Sequence, residues 1–163
     1  LAKENLPIEW TTLDGLPVQQ AYLDTRKRKV KTRDGQSLIY LTLQEPIPNK
    51  LNSRRQANGI SPNWIHSMDA CHARMTVNLA TSQPKNPVTH LSMIHDSFGT
   101  HACDVPLLSR CIRLTFVEIY GDNNPIQMFI DDRPISFEGE LPPPPPMGNL
   151  DINEVENSDF FFS

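Results

Sequence analysis

The sequence predicts an α+β fold: a small antiparallel sheet backed by two helices, with a basic β-hairpin arm at one side. Three observations carry that expectation. Two β-compatible runs flank Asp34-Gly35, a dipeptide suited to the positive-φ positions of a tight hairpin turn. A breaker-free stretch from Ser61 to Ala80 reads as a helix, with Ser61 as its cap and Pro62 in its first turn. Two further short β runs, VTHLSMIHD and THACD, then lead into a second apolar-periodic stretch from Val105 to Tyr120.

Taken in order, residues 1–22 hold a turn at Asp14-Gly15 and a Pro17 that discourages helix, which predicts short strands or extended chain. Arg26, Lys27, Arg28, Lys29, Lys31 and Arg33 follow with no acid among them. A period of two places Lys27, Lys29, Lys31 and Arg33 on one face of the first strand. On the second strand, Ile39, Leu41 and Leu43 share an apolar side. Such a hairpin can lay cations along a phosphate backbone; it can equally be a charged edge that resists sheet-to-sheet pairing.

In the first helix, Trp64, Met68, Cys71, Met75 and Leu79 form a core stripe, while His66, Asp69, Ala70, Ala73, Val77 and Ala80 lie opposite. That second stripe is small enough for a backbone or a nucleic-acid strand to approach closely. Ser97-Phe98-Gly99 is expected to join the next two strands, and Asp104 to cap the second helix, which Gly121 ends. Beyond Asn124 comes a short amphipathic piece, then five prolines from Pro142 to Pro146, which form an extended tether. Phe160, Phe161 and Phe162 near the chain end are expected to dock against the body, since three exposed aromatics are a sticky liability.

Composition narrows the class. At 163 residues and 38% hydrophobic, the chain has material for one core with an irregular arm. No window approaches the run of about 20 apolar residues that a membrane helix needs, so no membrane partner is expected. Three cysteines, Cys71, Cys103 and Cys111, with no C-x-x-C spacing, support neither a disulfide framework nor structural zinc. The net charge of -4 conceals an asymmetry, because the cations concentrate at 26–33 while acids predominate after Asp104. That pattern predicts a local polyanion-binding element on an acidic body. Expected domains are 1–59, extended with the basic hairpin at 25–44; 60–122, helix, hairpin and helix; and 123–163, a proline-rich segment with a docked tail. The opening at Leu1 without methionine suggests a fragment of a longer parent.

At GISPNWIHSMDACHARMTV, IHDSFGTHACD and GNLDINEVENSDFFFS the chain resembles the C-terminal part of a single-subunit, phage-type DNA-dependent RNA polymerase. The order and spacing of the three segments match that family, and the resemblance extends over essentially the whole chain. It implies a right-hand polymerase whose palm-type antiparallel hairpin is backed by helices, and in which two aspartates bind two Mg²⁺ ions. On that resemblance, Asp96 is one metal-binding catalytic carboxylate, His95 is its catalytic-site neighbour, and His66 contacts the nascent hybrid near the RNA 3′ end. The basic hairpin falls where the family carries its promoter specificity loop, which makes Arg28, Lys29, Lys31 and Arg33 the candidate nucleic-acid contacts. Implied partners are promoter DNA, DNA template, nascent RNA and ribonucleoside triphosphates, with a monomeric parent.

The chemistry agrees with that reading. Nucleotidyl transfer between a 3′ hydroxyl and a triphosphate uses two Mg²⁺ held about 4 Å apart. Hard Mg²⁺ takes carboxylate oxygens, and a tight hairpin holds one carboxylate rigidly. Asp14 and Asp34 sit in Asp-Gly turns without the family's first aspartate motif around them, so this chain alone is expected to lack polymerase activity. Two other classes fit the residues: a non-catalytic nucleic-acid-binding module built on the hairpin, and a metal-dependent phosphohydrolase using His66, His95, Asp96 and His101. HDSFGTHACD reads closer to phage than to mitochondrial versions, while the Phe-Phe-Ser ending points the other way; the first signal predicts the cytoplasm of an infected bacterial host in preference to a mitochondrion.

Overall fold

The computed structural model describes residues 5–94, 96–121, 123–132 and 142–161. They form a mixed α+β chain of small antiparallel hairpins and helices. Strand β1 (Ile8–Thr11) pairs with β2 (Pro17–Gln20), β3 (Leu23–Asp34) with β4 (Ser37–Leu51), and β5 (Leu91–Ile94) with β6 (Ser97–Thr100). The helices are α1 (Ser53–Thr81), α2 (Val105–Tyr120), α3 (Pro125–Asp131) and α4 (Glu154–Asn157). Two compact units share these elements: Leu1–Glu9 with Gln19–Ser61, and Trp10–Val18 with Pro62–Ser163.

In the first unit β3 and β4 form a long two-stranded ribbon, a type of structure only marginally stable without outside support. Asp34 pairs with Ser37, so the loop is Gly35-Gln36, one residue beyond the expected Asp34-Gly35. Gly35 has φ +60 and Gln36 is not among the residues with positive φ, the pattern of a II′ turn, which needs glycine only at its first central position. The base of the ribbon is tied to α1. Gln56 is fully buried; its Nε2 donates to the Gln20 carbonyl at 2.8 Å, and its own carbonyl accepts from Gln20 Nε2 at 2.8 Å. The Tyr22 amide donates to Gln56 Oε1 at 3.3 Å.

This anchoring explains a correction to the sequence reading. Helix α1 begins at Ser53, eight residues before the expected cap at Ser61, and Pro62 lies inside it. Asn52 is the cap, its Oδ1 accepting from the Arg55 amide at 2.9 Å. Proline removes one N–H donor from the helix; the turns before it are secured by the buried Gln56 amide, so the helix runs through.

In the second unit, α1 and α2 pack around two apolar clusters. One holds Ala80, Val88, Leu108, Cys111 and Ile112, with Leu91, Phe98 and Phe161 against it; the other holds Met68, Cys71 and Ile119, with Leu13, Trp64 and Met75 against it. The expected core stripe of α1 is seen here. Between the two helices lie buried polar contacts: His72 Nε2 donates to the Ile112 carbonyl at 2.8 Å, and the Thr76 and Thr115 hydroxyls meet at 2.8 Å. Burial of the His72 ring pushes its pKa down.

Asp104 stands at the N-cap of α2 but makes no side-chain capping bond. A 3₁₀ turn over Ala102–Asp104 runs directly into α2, so Asp104 has φ -98 and ψ -7 and lacks the extended backbone that a cap requires. Gly121 ends α2 as expected, its amide donating to the Val117 carbonyl at 2.7 Å. Residues 142–149 carry neither helix nor strand.

Candidate nucleotidyl-transfer hairpin and basic ribbon

Asp96 lies in the two-residue loop between β5 and β6, where Ile94 pairs with Ser97. The expected connection Ser97-Phe98-Gly99 is strand instead. Phe98 explains this: it pairs with Met93, shares its face of the hairpin, and reaches the cluster around Leu108 and Ile112, so burial draws the segment into the ladder. Leu91 and Phe98 face the core, and the tip is left to Asp96, which is exposed. Among the described residues no hydrogen bond or ion pair engages its carboxylate.

Asp14 is the contrast. Its carboxylate takes Arg74 Nε and Nη2, the latter at 2.9 Å, and also the Thr12 hydroxyl. The Arg74 guanidinium holds the Asp14 carboxyl well below the usual carboxylate range. Asp14 is therefore committed to a structural pair, whereas no described residue engages the Asp96 carboxylate at the tip of its hairpin. A hard divalent cation accepts such a carboxylate as one ligand. Among the described residues no group of three or more His, Cys, Asp or Glu converges on one point.

His66 and Asp69 are exposed on α1, three residues apart. His95 lies outside the described residues. His101 is not brought to Asp96 but pairs with His90 at the other end of the hairpin, ring centroids 4.8 Å apart. The four-residue phosphohydrolase grouping thus finds no cluster among the described residues.

On the ribbon, the register sorts the six cations. Lys27, Lys29, Lys31 and Arg33 lie opposite Gln44, Thr42, Tyr40 and Leu38 and share one face, which carries no acid. Arg26 and Arg28 share the other with Val30, Ile39, Leu41, Leu43 and Glu45. There, Arg26 Nε donates to Glu45 at 3.0 Å and Arg28 Nη1 lies 3.8 Å from the same carboxylate. Arg28 is thereby separated from Lys29, Lys31 and Arg33. Glu45 is the signal that could have sorted them, but only once the register is known.

A model of the DNA-dependent RNA polymerase family matches residues 1–133. The chain belongs to the phage-type, single-subunit RNA polymerases. Among relatives, it is 37% identical over 164 residues to DNA-directed RNA polymerase 2B, chloroplastic/mitochondrial, of Nicotiana tabacum, covering 100% of this chain and 15% of that protein. It is 36% identical over 168 residues to DNA-directed RNA polymerase 3, chloroplastic, of Nicotiana sylvestris, covering 100% of this chain and 16% of that one. To DNA-directed RNA polymerase 1A of Nicotiana tabacum it is 36% identical over 164 residues, covering 100% of this chain and 99% of that protein. The chain spans about 15% of the length of the chloroplastic and mitochondrial relatives.

These relatives overturn the expected setting in the cytoplasm of a phage-infected bacterium: they are plant polymerases, several of them named for chloroplast or mitochondrion. HDSFGTHACD is a local stretch of ten residues, whereas these relatives match over the whole chain. Among the described residues no helix is long and apolar enough to cross a membrane.

Proposed function

We propose that this chain supplies the Asp96 hairpin and the basic ribbon of a DNA-directed RNA polymerase, with β5 and β6 acting as the palm-type hairpin of a right-hand fold. The observation that carries the reading is Asp96: an exposed carboxylate, unengaged among the described residues, at the tip of a hairpin anchored through Phe98, in a chain of this family. When bound, two Mg²⁺ ions activate the RNA 3′ hydroxyl and hold the triphosphate of the incoming nucleotide. Asp96 contributes one carboxylate to them, and the second comes from outside the described residues. His95 flanks that carboxylate, and His66 faces the nascent hybrid. Asp14 is held by Arg74 and offers no second ligand, so polymerisation by this chain depends on a carboxylate supplied by the rest of the enzyme.

The face of Lys27, Lys29, Lys31 and Arg33 neutralises promoter phosphates, and its four cations without an acid favour that role over simple edge protection. Arg28, shared with Glu45, takes a lesser part. Promoter DNA, template, nascent RNA and ribonucleoside triphosphates are the partners of the assembled, monomeric enzyme. The parts 1–59, 60–122 and 123–163 then serve as promoter arm, catalytic body and tail.

The test is a hybrid enzyme in which this chain replaces the matching segment of the full-length chloroplastic/mitochondrial relative. Asp96→Asn is expected to lower Mg²⁺-dependent transcription by several orders of magnitude with promoter binding retained. Near-normal transcription would remove Asp96 from the chemistry and leave a nucleic-acid-binding module, for which the acid-free cationic face is the supporting observation.

A further inference from the structure

The C-terminal segment returns to α2 at one residue. Arg113 Nη1 donates to the Val155 carbonyl at 2.7 Å and to the Ser158 carbonyl at 2.5 Å, the two carbonyls that bracket the end of α4. Its guanidinium also lies over the ring of Phe161, 5.7 Å from the centroid. One side chain thus satisfies two carbonyls at a helix C-terminus and stacks on the aromatic that follows. A planar guanidinium suits both tasks, and its positive charge is favoured at the negative end of a helix.

Phe161 in turn touches a line of rings. It stands edge-on to Phe116 with centroids 4.9 Å apart; Phe116 meets His72 at 5.8 Å, and His72 meets Phe98 at 5.9 Å. Phe98 is the core-facing residue of β6, two positions from Asp96. Phe98 and Phe161 also line one cavity, together with Leu108, Ile112 and Arg113. The line of edge-to-face rings, rather than the cavity, connects the two.

We propose that Arg113 is a positioning residue for nucleotidyl transfer: it holds the C-terminal segment on α2, so that Phe161 and the rings beyond it brace Phe98 and fix the hairpin that carries Asp96. The α4 segment has few buried contacts of its own, none of its residues being buried. Arg113 therefore decides whether the segment is closed or open. With the segment closed, Asp96 keeps one orientation; with it open, β6 loses its backing and Asp96 wanders. The catalytic consequence rests on the proposed role of Asp96, whereas the bracing of β6 by the tail does not.

The test begins on the intact 163-residue chain, by amide hydrogen exchange. Arg113→Ala is expected to cut protection at least roughly tenfold in α4, the factor that goes with losing one charge-assisted hydrogen bond. It should also lower protection in β6 while the amides in the middle of α2 stay protected. Arg113→Lys, which keeps the charge but not the plane that stacks on Phe161, should recover part of the loss at α4 and less of that at β6. Unchanged exchange at α4 overturns the latch, and loss at α4 with β6 unchanged overturns the brace. If Arg113→Ala does not fold, Phe161→Leu in the intact chain asks the same of β6 alone.

In the hybrid polymerase, Arg113→Ala is then expected to lower kcat about tenfold with the nucleotide KM shifted less than about threefold, since orientation at the reacting centre is lost and ground-state binding is not. An unchanged kcat overturns the positioning role. Should Asp96→Asn leave the hybrid active, the polymerase assignment of Asp96 fails, and the exchange data still decide the brace.

Discussion

Arg74, in the C-terminal half of α1, grips Asp14, in the turn after β1, through two guanidinium nitrogens, with Nη2 2.9 Å from Oδ1 and 3.3 Å from the Thr12 hydroxyl. The Asp14 side chain is 13% exposed with Arg74 in place, but the residue stands in an exposed turn, so removing Arg74 loses the pair and lets water reach the carboxylate. Arg74→Ala is expected to cost roughly 1 kcal/mol in chemical denaturation, and Asp14→Asn less, because the amide still accepts one bond. The carboxyl is depressed in the fold below its ordinary 3.8, so the stabilisation is present above about pH 4 and fades as pH falls through that value toward the folded one. Stability of Asp14→Asn should be flatter with pH in this window.

His72 gives the second pH signature. Its ring is buried, chiefly desolvated, and neutral in the fold, while the unfolded chain takes a proton near the ordinary 6.5. Stability is full above that value and declines as pH falls below it, until the folded ring also protonates. Replacement by Gln, which can still donate to the Ile112 carbonyl, should remove this slope; an unchanged pH profile between about 7 and 5 would assign the titration to another group.

Gln56 supports the ribbon. Gln56→Leu would remove the donor to the Gln20 carbonyl and the acceptor of the Tyr22 amide, at a cost of roughly 1 to 3 kcal/mol. The expected result is faster amide exchange along β3 and β4 with α2 unaffected. Equal protection in mutant and parent would show that the ribbon holds itself.

The two faces of the ribbon make opposite predictions for the hybrid polymerase. Lys29→Ala or Lys31→Ala should weaken promoter binding and reduce the slope of log affinity against log salt by about 1. Arg26→Ala should leave that slope nearly unchanged, because its charge is shared with Glu45. Equal effects on both faces would contradict the division.

Much of this protein was legible in local sequence. The positive-φ requirement near Asp34-Gly35 announced the hairpin, spacing at about 100° per residue gave the Met68 and Cys71 stripe of α1, and Gly121 marked the end of α2. Three separated motifs were enough to place the family. Each signal depends on neighbours within one or two turns, which a linear reading contains.

What tertiary structure alone decided involves partners far apart in sequence. The start of α1 at Ser53 follows from Gln56 meeting Gln20, and Phe98 joins β6 because the α1–α2 core buries it. The segregation of Arg28 from Lys29 follows from a register that sets Glu45 beside it. The motif around Asp96 already set it apart from Asp14 in the sequence; only the fold shows that Arg74, 60 residues away, takes the Asp14 carboxylate. Periodicity fixes which face a residue occupies, but which charge or ring waits there depends on where the chain returns, and only packing settles that.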